Sequence, residues 1–347
     1  MKQTLMTIAA LLLVCLGAKA QDEAMAVLTH GTTTKTFSGR AALINAYTEA
    51  VNGDLITLSS GQFESVATIE KAITIRGAGL GVDTIYSTQP TVIYNNITLA
   101  IPDGVQGQFQ MEGIFHDDSI FYANNQKDAK FVKCRLNAIS AGQYQMTDDD
   151  NYWGTCQNLQ FFHCKIKGVL VCNSNSTMSL VNSYVESPYA IDETTSNISF
   201  RNCVIKANCD DTECSLRGCY LTNCVIYQVE SSDTTFRYND YTVFTNCLLP
   251  SHWTPAADRN TYQNYSDVTA IFKTYVGTYG EQESFELTDA AAAIYLGKDG
   301  KQVGMYGGVI PYTPRLAGPH IKTLQVSDHS SSDGKLNVKI QIENTAD

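Results

Sequence analysis

One polar stretch of this sequence combines aromatic and acidic side chains, a combination with clear chemical uses. The stretch reads AGQYQMTDDDNYWGTC and covers residues 141–156. A flat ring can pack on a sugar face while carboxylates accept hydrogen bonds from its hydroxyl groups, so a sugar site is one interpretation. Calcium, which prefers oxygen ligands, is a second, and a solvated polar loop is the third. The candidate ligand-binding residues are Tyr144, Asp148, Asp149, Asp150, Tyr152 and Trp153.

A recurring Asn-Cys pair is the other candidate for chemistry. It occurs in FRNCVIK at 200–206 and again in LTNCVIY at 221–227. Both belong to one frame (apolar, any, apolar, any, Asn, Cys, any, apolar) that appears six times, with steps of 30, 19, 20, 21 and 23 residues between the Cys positions. A period near 20 with one insertion indicates a structural repeat, and the insertion is the aromatic and acidic stretch.

The parity of the frame predicts a corner between two strands. Side chains alternate along a strand, so two adjacent inward residues require a sharp turn between them. Asn tolerates the left-handed conformation of such a turn, and Gly77 and Gly113 stand at the same place in two earlier copies. We therefore predict an all-β fold, a right-handed, single-stranded parallel β-helix in which each layer stacks on the next. Leucine-rich repeats share the period but need a Leu-x-Leu frame that is absent here.

We expect the Asn and Cys columns to be structural rather than reactive. A buried thiol in apolar surroundings behaves as a small hydrophobic group. The Asn amides are expected to hydrogen-bond from layer to layer, with Lys133 and His163 as substitutes and Ser183 in one Cys position. The predicted ladder comprises Asn182, Asn202, Asn223, Asn246, Cys134, Cys164, Cys203, Cys224 and Cys247.

The remaining cysteines leave the disulfide state open. Cys209 and Cys214 are close enough in sequence for a local disulfide. A zinc pair there is less favoured because two further ligands are not visible. The sequence does not decide the pairing of Cys156 or Cys172.

Both ends of the chain carry recognisable segments. Residues 1–20 resemble a cleaved signal peptide, with an apolar run that ends at Ala18-Lys19-Ala20, whereas a lipid-attachment signal at Cys15 lacks the small residue it needs. No later run is long enough to span a membrane. We predict a β-helix domain over 21–315 and a tail with two strands over 316–347.

Two segments are predicted to cover the ends of the β-helix domain. Residues 38–51 read as a helix with Ser38 as its N-cap and with Leu43, Tyr47, Ala50 and Val51 on one face. It would cover the first layer. The glycine-rich residues 296–308 would close the opposite end.

Charge restricts the partners. The chain has a net charge of −11, and loss of Lys2 and Lys19 with the signal peptide makes it about −13. Such a surface repels nucleic acid and anionic membranes. Lys167, Glu186 and Lys206 occupy one outward position in consecutive copies, which predicts exposed ion pairs between layers rather than an active site.

Three features resemble the pectate-lyase-like right-handed β-helix superfamily, in the secreted form common in Bacteroidota. They are GDLITLSSGQF followed by ITIRGAG, the Asn-Cys corners, and DAAAAIYLGKDGKQVGMYGG, and together they span roughly residues 25–315. The resemblance implies the fold, and it implies either polysaccharide lyase or glycoside hydrolase activity, or binding alone. The sequence lacks the combination of Asn-x-Asp and Gly-His-Gly segments of the glycosidases, and it has no unambiguous Arg-x-Pro-x-x-Arg of the lyases.

These observations lead to two functional hypotheses. The first is a secreted or cell-surface protein that binds a polysaccharide or a surface protein without catalysis. The second is a divergent polysaccharide lyase that acts on acidic polysaccharide, with calcium as a candidate cofactor.

Overall fold

The computed structural model describes a defined part of the chain. It covers residues 24–345, apart from 81–88, 124–125, 142–144, 148–149, 153–155, 168–169, 173–175, 187, 191–196, 208–215, 217, 229–240, 252, 276–283, 315, 317 and 327–337. In several strands only the backbone is described. Everything below refers to this part of the chain.

The fold is all-β and is built from a long, mostly parallel sheet. Its strands pair with strands about 20 residues further along the chain, which forms three rows. Row A contains β3 (Leu55–Leu58), β6 (Thr74–Arg76), β9 (Phe109–Glu112), β12 (Ala129–Val132), β17 (Leu159–Phe162), β20 (Thr177–Val181), β23 (Asn197–Arg201), β25 (Tyr220–Thr222) and the start of β27 (Val243–Pro250).

Row B follows row A in each layer, after the Asn-Cys corner. It contains β4 (Gly61–Glu64), β7 (Thr91–Tyr94), the starts of β10 (Phe115–Tyr122) and β13 (Arg135–Ala141), β18 (Lys165–Ile166), β21 (Tyr184–Glu186), β24 (Val204–Ala207), β26 (Val225–Gln228), the end of β27, and β28 (Thr261–Tyr265). Row C contains β5 (Thr68–Ile69), β8 (Ile97–Leu99), the ends of β10 and β13, β19 (Leu170–Cys172) and β22 (Pro188–Ala190). This arrangement is compatible with a β-helix.

The core consists of columns of inward-pointing side chains, in which each layer contributes the residue at the same register position. In row A the central residue of each strand points inward and is at most 1% exposed. Phe131 and Phe161, on adjacent layers, stack with ring centroids 5.1 Å apart. Burying each such ring contributes roughly 1.5–3 kcal/mol relative to exposure, which makes the columns the main stabilising feature. The row A column is Ile56, Ile75, Met111, Phe131, Phe161, Leu180, Phe200, Leu221 and Phe244.

A hairpin and a helix lie at the N-terminal end of the sheet. Strand β1 (Met25–His30) pairs antiparallel with β2 (Thr33–Ser38) and with β3. Helix α1 (Ala42–Glu49) buries Ala42, Leu43 and Ala46 in the core. The predicted helix start was wrong. Ser38 ends a strand, the N-cap position is Ala41 without a side-chain cap, and Val51 is 49% exposed because the helix has ended by then.

Trp253 packs at the C-terminal end of the core, next to the last layer. Its side chain is 3% exposed and belongs to the same apolar cluster as the row A column. Asn264 stabilises the loop between β27 and β28 that carries Trp253, since its amide donates to the carbonyls of Pro250 at 2.9 Å and Trp253 at 3.1 Å. Residues 296–308, which we expected to close this end, instead run along the corners.

The remaining elements lie outside the three rows. Strands β11 (Gln126–Lys127) and β16 (Cys156–Gln157) pair in parallel, β14 (Gln145–Thr147) and β15 (Asp150–Tyr152) form a hairpin, and β29 (Gly318–Val326) pairs antiparallel with β30 (Val338–Thr345). Helices α2 (Val268–Ile271) and α3 (Asp289–Ile294) lie between β28 and β29.

Candidate functional site

The cysteine column lies inside the fold and is chemically quiet. Its members are at most 1% exposed, and burial raises the pKa of the thiols of Cys164, Cys224 and Cys247 well above the ordinary value. Each thiol donates to the carbonyl two residues before it, as Cys203 does to Arg201 at 3.3 Å. At the equivalent position Ser183 donates its hydroxyl to the carbonyl of Val181 at 2.8 Å. Serine can replace cysteine here because both are small side chains with a hydrogen-bond donor.

The corner column has the predicted left-handed backbone. The φ values run from +46° to +55° at its non-glycine positions, which are Lys133, His163, Asn182, Asn202, Asn223 and Asn246. Gly113 shares this conformation with φ of +63°. Gly77 does not have this left-handed backbone. Glycine is required there because the neighbouring layer leaves no room for a side chain. A Cβ atom at Gly77 would lie 2.5 Å from the carbonyl oxygen of Gly113.

The side-chain amides of Asn182 and Asn223 bond to the C-terminal part of the chain, whereas Asn246 Oδ1 accepts from Thr261 Oγ1 of the next layer at 3.1 Å. The Asn182 amide donates to the carbonyls of Met305 and Gly307, both at 2.8 Å. The Asn223 side chain accepts from the backbone N–H of Lys298 at 3.1 Å. A Cβ atom at Gly308 would approach the Asn202 amide to 2.1 Å, so the glycines of this segment let the backbone approach the corners. Our expectation of amide bonds between layers was therefore wrong for Asn182.

The same segment covers the outer surface of row B. The outward residues Tyr184, Val204, Val225 and Leu248 are fully buried in a second apolar cluster, together with residues from 265–312. Tyr184 stacks on Phe285 with centroids 4.1 Å apart. We call this surface the covered face.

An ion pair lies beneath the covered face. Lys206 Nζ is 2.9 Å from Glu186 Oε1, and the two side chains are 4% and 12% exposed. The pairing of these two residues was predicted, but their burial was not. Lys167, in the preceding layer, is exposed.

The outer surface of row A, by contrast, is open. Its side chains form two columns across adjacent layers, in register and about 4.8 Å apart. The first column is Leu55, Thr74, Gln110, Lys130, Gln160, Ser179, Ser199, Tyr220 and Val243. The second is Thr57, Arg76, Glu112, Val132, Phe162, Val181, Arg201, Thr222 and Thr245. These side chains are partly or fully exposed, and we call this surface the open face.

The open face combines hydroxyl, amide, aromatic and cationic groups. Phe162 lies near its centre, and the ammonium of Lys130 sits 5.2 Å from the centroid of that ring. Arg76 Nε is 2.8 Å from Glu112 Oε2. Among the open-face positions, all of which are described, three of the four charged side chains are cations, although the whole chain carries −11. This flat surface has the groups that recognise an extended polar ligand.

The open face was missed at the sequence level, although its signal was present. In the six copies of the repeated frame, its residues are the first two "any" positions, which alternate with the inward apolar residues before the Asn. Their significance depends on which outer surface the C-terminal segment covers, and the repeat does not contain that information.

The predicted sugar-binding stretch is only partly described. Tyr144, Asp148, Asp149 and Trp153 lie outside the described residues. Asp150 and Tyr152 belong to β15, where Tyr152 pairs with Gln145. In the chain, the stretch follows β13, whose end lies in row C, and precedes β16 and the row A strand β17.

The predicted metal and disulfide positions can be placed in part. Cys156 is fully buried in β16, Cys172 lies in β19, and Cys209 and Cys214 fall outside the described residues. Within the described ranges, no three His, Cys, Asp or Glu residues are grouped to hold a metal ion. Calcium therefore remains a hypothesis for the acidic stretch alone. None of the described helices is long and apolar enough to cross a membrane.

A buried histidine interrupts the inward column of row B. His116 is fully buried between Ile93 and Leu136 of the adjacent layers, and its Nε2 lies 2.9 Å from the carbonyl of Asn95. Desolvation lowers its pKa below 6.5, partly offset by the nearby Asp117 and Asp118. The unfolded chain therefore binds this proton more readily than the folded chain.

That difference predicts an acid-dependent loss of stability. The contribution that neutral His116 makes to the free energy of unfolding is fully present above about pH 6.5, the pKa of an unfolded histidine. It decreases as the pH falls below that value. His116→Leu matches the aliphatic neighbours and should flatten the difference in melting temperature between pH 7.5 and pH 5.5. The control Leu136→Met, at a position without a titratable group in the next layer of the same inward column, should keep the wild-type slope. An unchanged slope in His116→Leu would assign the effect to other groups.

No protein-family model, curated protein or solved structure matches this chain. The interpretation of function therefore rests on the chain's own geometry.

Proposed function

We propose that this protein is an exported β-helix that binds an extended glycan on its open face without catalysis. The observation that carries the proposal is the contrast between the two outer surfaces beside the corner column. One is buried by the chain's own C-terminal segment, and the other presents a flat array of hydroxyl, amide, aromatic and cationic groups. Such groups at regular spacing suit a ligand that is itself regular.

The finer features of the fold belong to the same proposal. The handedness is proposed as right, which is the hand of parallel strand crossovers. Helix α1 is proposed as the N-terminal cap because it buries Ala42, Leu43 and Ala46 against the core. The resemblance to secreted, pectate-lyase-like proteins of Bacteroidota, together with the leader at 1–20, supports export to the periplasm, cell surface or medium.

A glycan fits the open face better than a globular partner does. Successive layers lie about 4.8 Å apart, which is close to the length of one sugar unit in an extended chain. Phe162 offers a ring for stacking on a sugar face, and Gln160, Ser179 and Ser199 offer hydrogen-bonding groups in neighbouring positions. The aromatic and acidic insertion, which precedes the row A strand β17 in the chain, is proposed to extend the site.

Binding to a panel of polysaccharides, measured by calorimetry, tests this proposal. We expect Phe162→Ala to weaken binding about twofold to tenfold, since aromatic contacts of this kind contribute roughly 0.5–1.5 kcal/mol. The matched control is Phe121→Ala, which should bind as the wild type does. Phe121 is partly exposed, as Phe162 is, but lies in row C. If Phe121→Ala loses binding and Phe162→Ala does not, the site lies on row C.

The insertion and the lyase alternative are tested in the same samples. Trp153→Ala should weaken binding if the insertion extends the site. Wild-type protein incubated with acidic polysaccharide and calcium is expected to release no unsaturated product, as measured by ultraviolet absorbance. Product formation would replace the binding proposal with the lyase.

A further inference from the structure

Lys130 and Phe162 form a contact on the open face that a glycan stacking on the ring would have to rearrange. They stand in different columns of adjacent layers, β12 and β17, and the Lys130 ammonium lies 5.2 Å from the ring centroid. The ammonium is attracted to the electron-rich face of the ring. A sugar that stacks on the ring face occupied by the ammonium displaces this cation.

The competition has different outcomes for neutral and acidic sugars. A neutral sugar takes the ring from the ammonium and offers only hydroxyl groups in return. A sugar with a carboxylate or a sulfate gives the displaced ammonium an anionic partner, with a stronger, charge-assisted hydrogen bond. The pair therefore discriminates by charge at the position where stacking occurs.

The rest of the open face favours the same sign of ligand charge. Glu112, its one carboxylate, is already paired with Arg76 at 2.8 Å. Arg201 is exposed and stands three layers from Lys130, or about 14 Å along the sheet. An extended chain with an acidic group on every third unit, or on every unit, could contact both cations at once.

We propose that the open face selects acidic glycans and that Lys130 is the residue that determines this specificity. The inference rests on the proposed glycan binding and adds the ligand class. The anionic group is a carboxylate of a uronate or a sulfate ester, which share the chemistry that a lysine recognises.

Two matched pairs of polymers test the inference by calorimetry. One pair is a polyuronate and its methyl ester, and the other is a sulfated polysaccharide and its desulfated form. We expect the wild type to prefer the acidic member of at least one pair, and the pair that shows the preference identifies the anionic group. Lys130→Met should weaken binding of that acidic member about fivefold and leave the neutral member unchanged or slightly tighter. Lys130→Arg should retain the preference.

The control is Lys301→Met, which removes an exposed lysine of the C-terminal segment and should bind as the wild type does. Equal wild-type binding of acidic and neutral members would overturn the inference and leave the proposed glycan function standing. An acidic preference that survives in Lys130→Met would overturn the role of Lys130. Absence of binding to every polymer would overturn the proposed function and the inference with it. Unchanged melting temperatures in the variants confirm that folding is not the cause.

Discussion

Trp253→Ala is expected to lower the free energy of unfolding by about 3–5 kcal/mol, the usual cost of removing a large aromatic side chain from a core. Trp253 is 3% exposed and packs with the apolar column at the C-terminal end of the sheet. Its loss would leave a cavity beside the last layer. Because every layer is stabilised by its neighbours, weakness at an end propagates inward. Chemical denaturation monitored by circular dichroism measures the change.

Tyr220→Ala serves as the control for this substitution. Tyr220 is also aromatic but is 52% exposed on the open face, so its removal should change the free energy of unfolding by less than about 0.5 kcal/mol. If Trp253→Ala were as mild as Tyr220→Ala, the end of the core would have to be closed by something other than Trp253. A lower midpoint with a reduced denaturant slope would instead indicate fraying of the last layers.

The repeat alone predicted much of the core because its information is local. Two inward residues in succession require a corner, and Asn202 and Asn223 have the left-handed φ that follows from it. The inward parity of Phe200 and Leu221 is likewise a property of neighbouring residues. Such features depend on a few consecutive side chains, so the sequence contains them directly.

The features that the sequence did not reveal depend on distant contacts. Asn182 bonds to residues more than 120 positions away, and the corner frame does not indicate which partner its amide selects. Gly77 looked like a corner glycine, but the next layer rather than its own backbone requires it. We expected residues 296–308 to close the C-terminal end of the core, but Trp253 packs there instead, and this too depends on distant contacts. Which outer surface remains open, and hence the candidate site, is also decided by long-range packing.

Glu186→Leu is the second substitution with a large expected effect, again a loss of about 3–5 kcal/mol. Glu186 and Lys206 pair at 2.9 Å beneath the covered face, where the Lys206 side chain is only 4% exposed. Removing the carboxylate leaves a buried ammonium without its counterion, and water cannot reach it unless the C-terminal segment moves. The melting temperature and the free energy of unfolding should both fall. The exposed pair Lys35–Glu49 provides the control, since Glu49→Leu there should cost at most about 1 kcal/mol.

The double variant Glu186→Leu/Lys206→Met separates two roles of this ion pair. If the pair mainly avoids an isolated charge, the double variant should recover most of the lost stability, because apolar residues of similar size suit the surrounding cluster of Tyr184 and Phe285. If the pair also directs the C-terminal segment onto the covered face, the double variant should be stable yet more susceptible to proteolysis within 265–316. Limited proteolysis with mass spectrometry distinguishes these results. Failure of the double variant to recover stability would mean that the pair itself, rather than the unpaired ammonium, stabilises the fold.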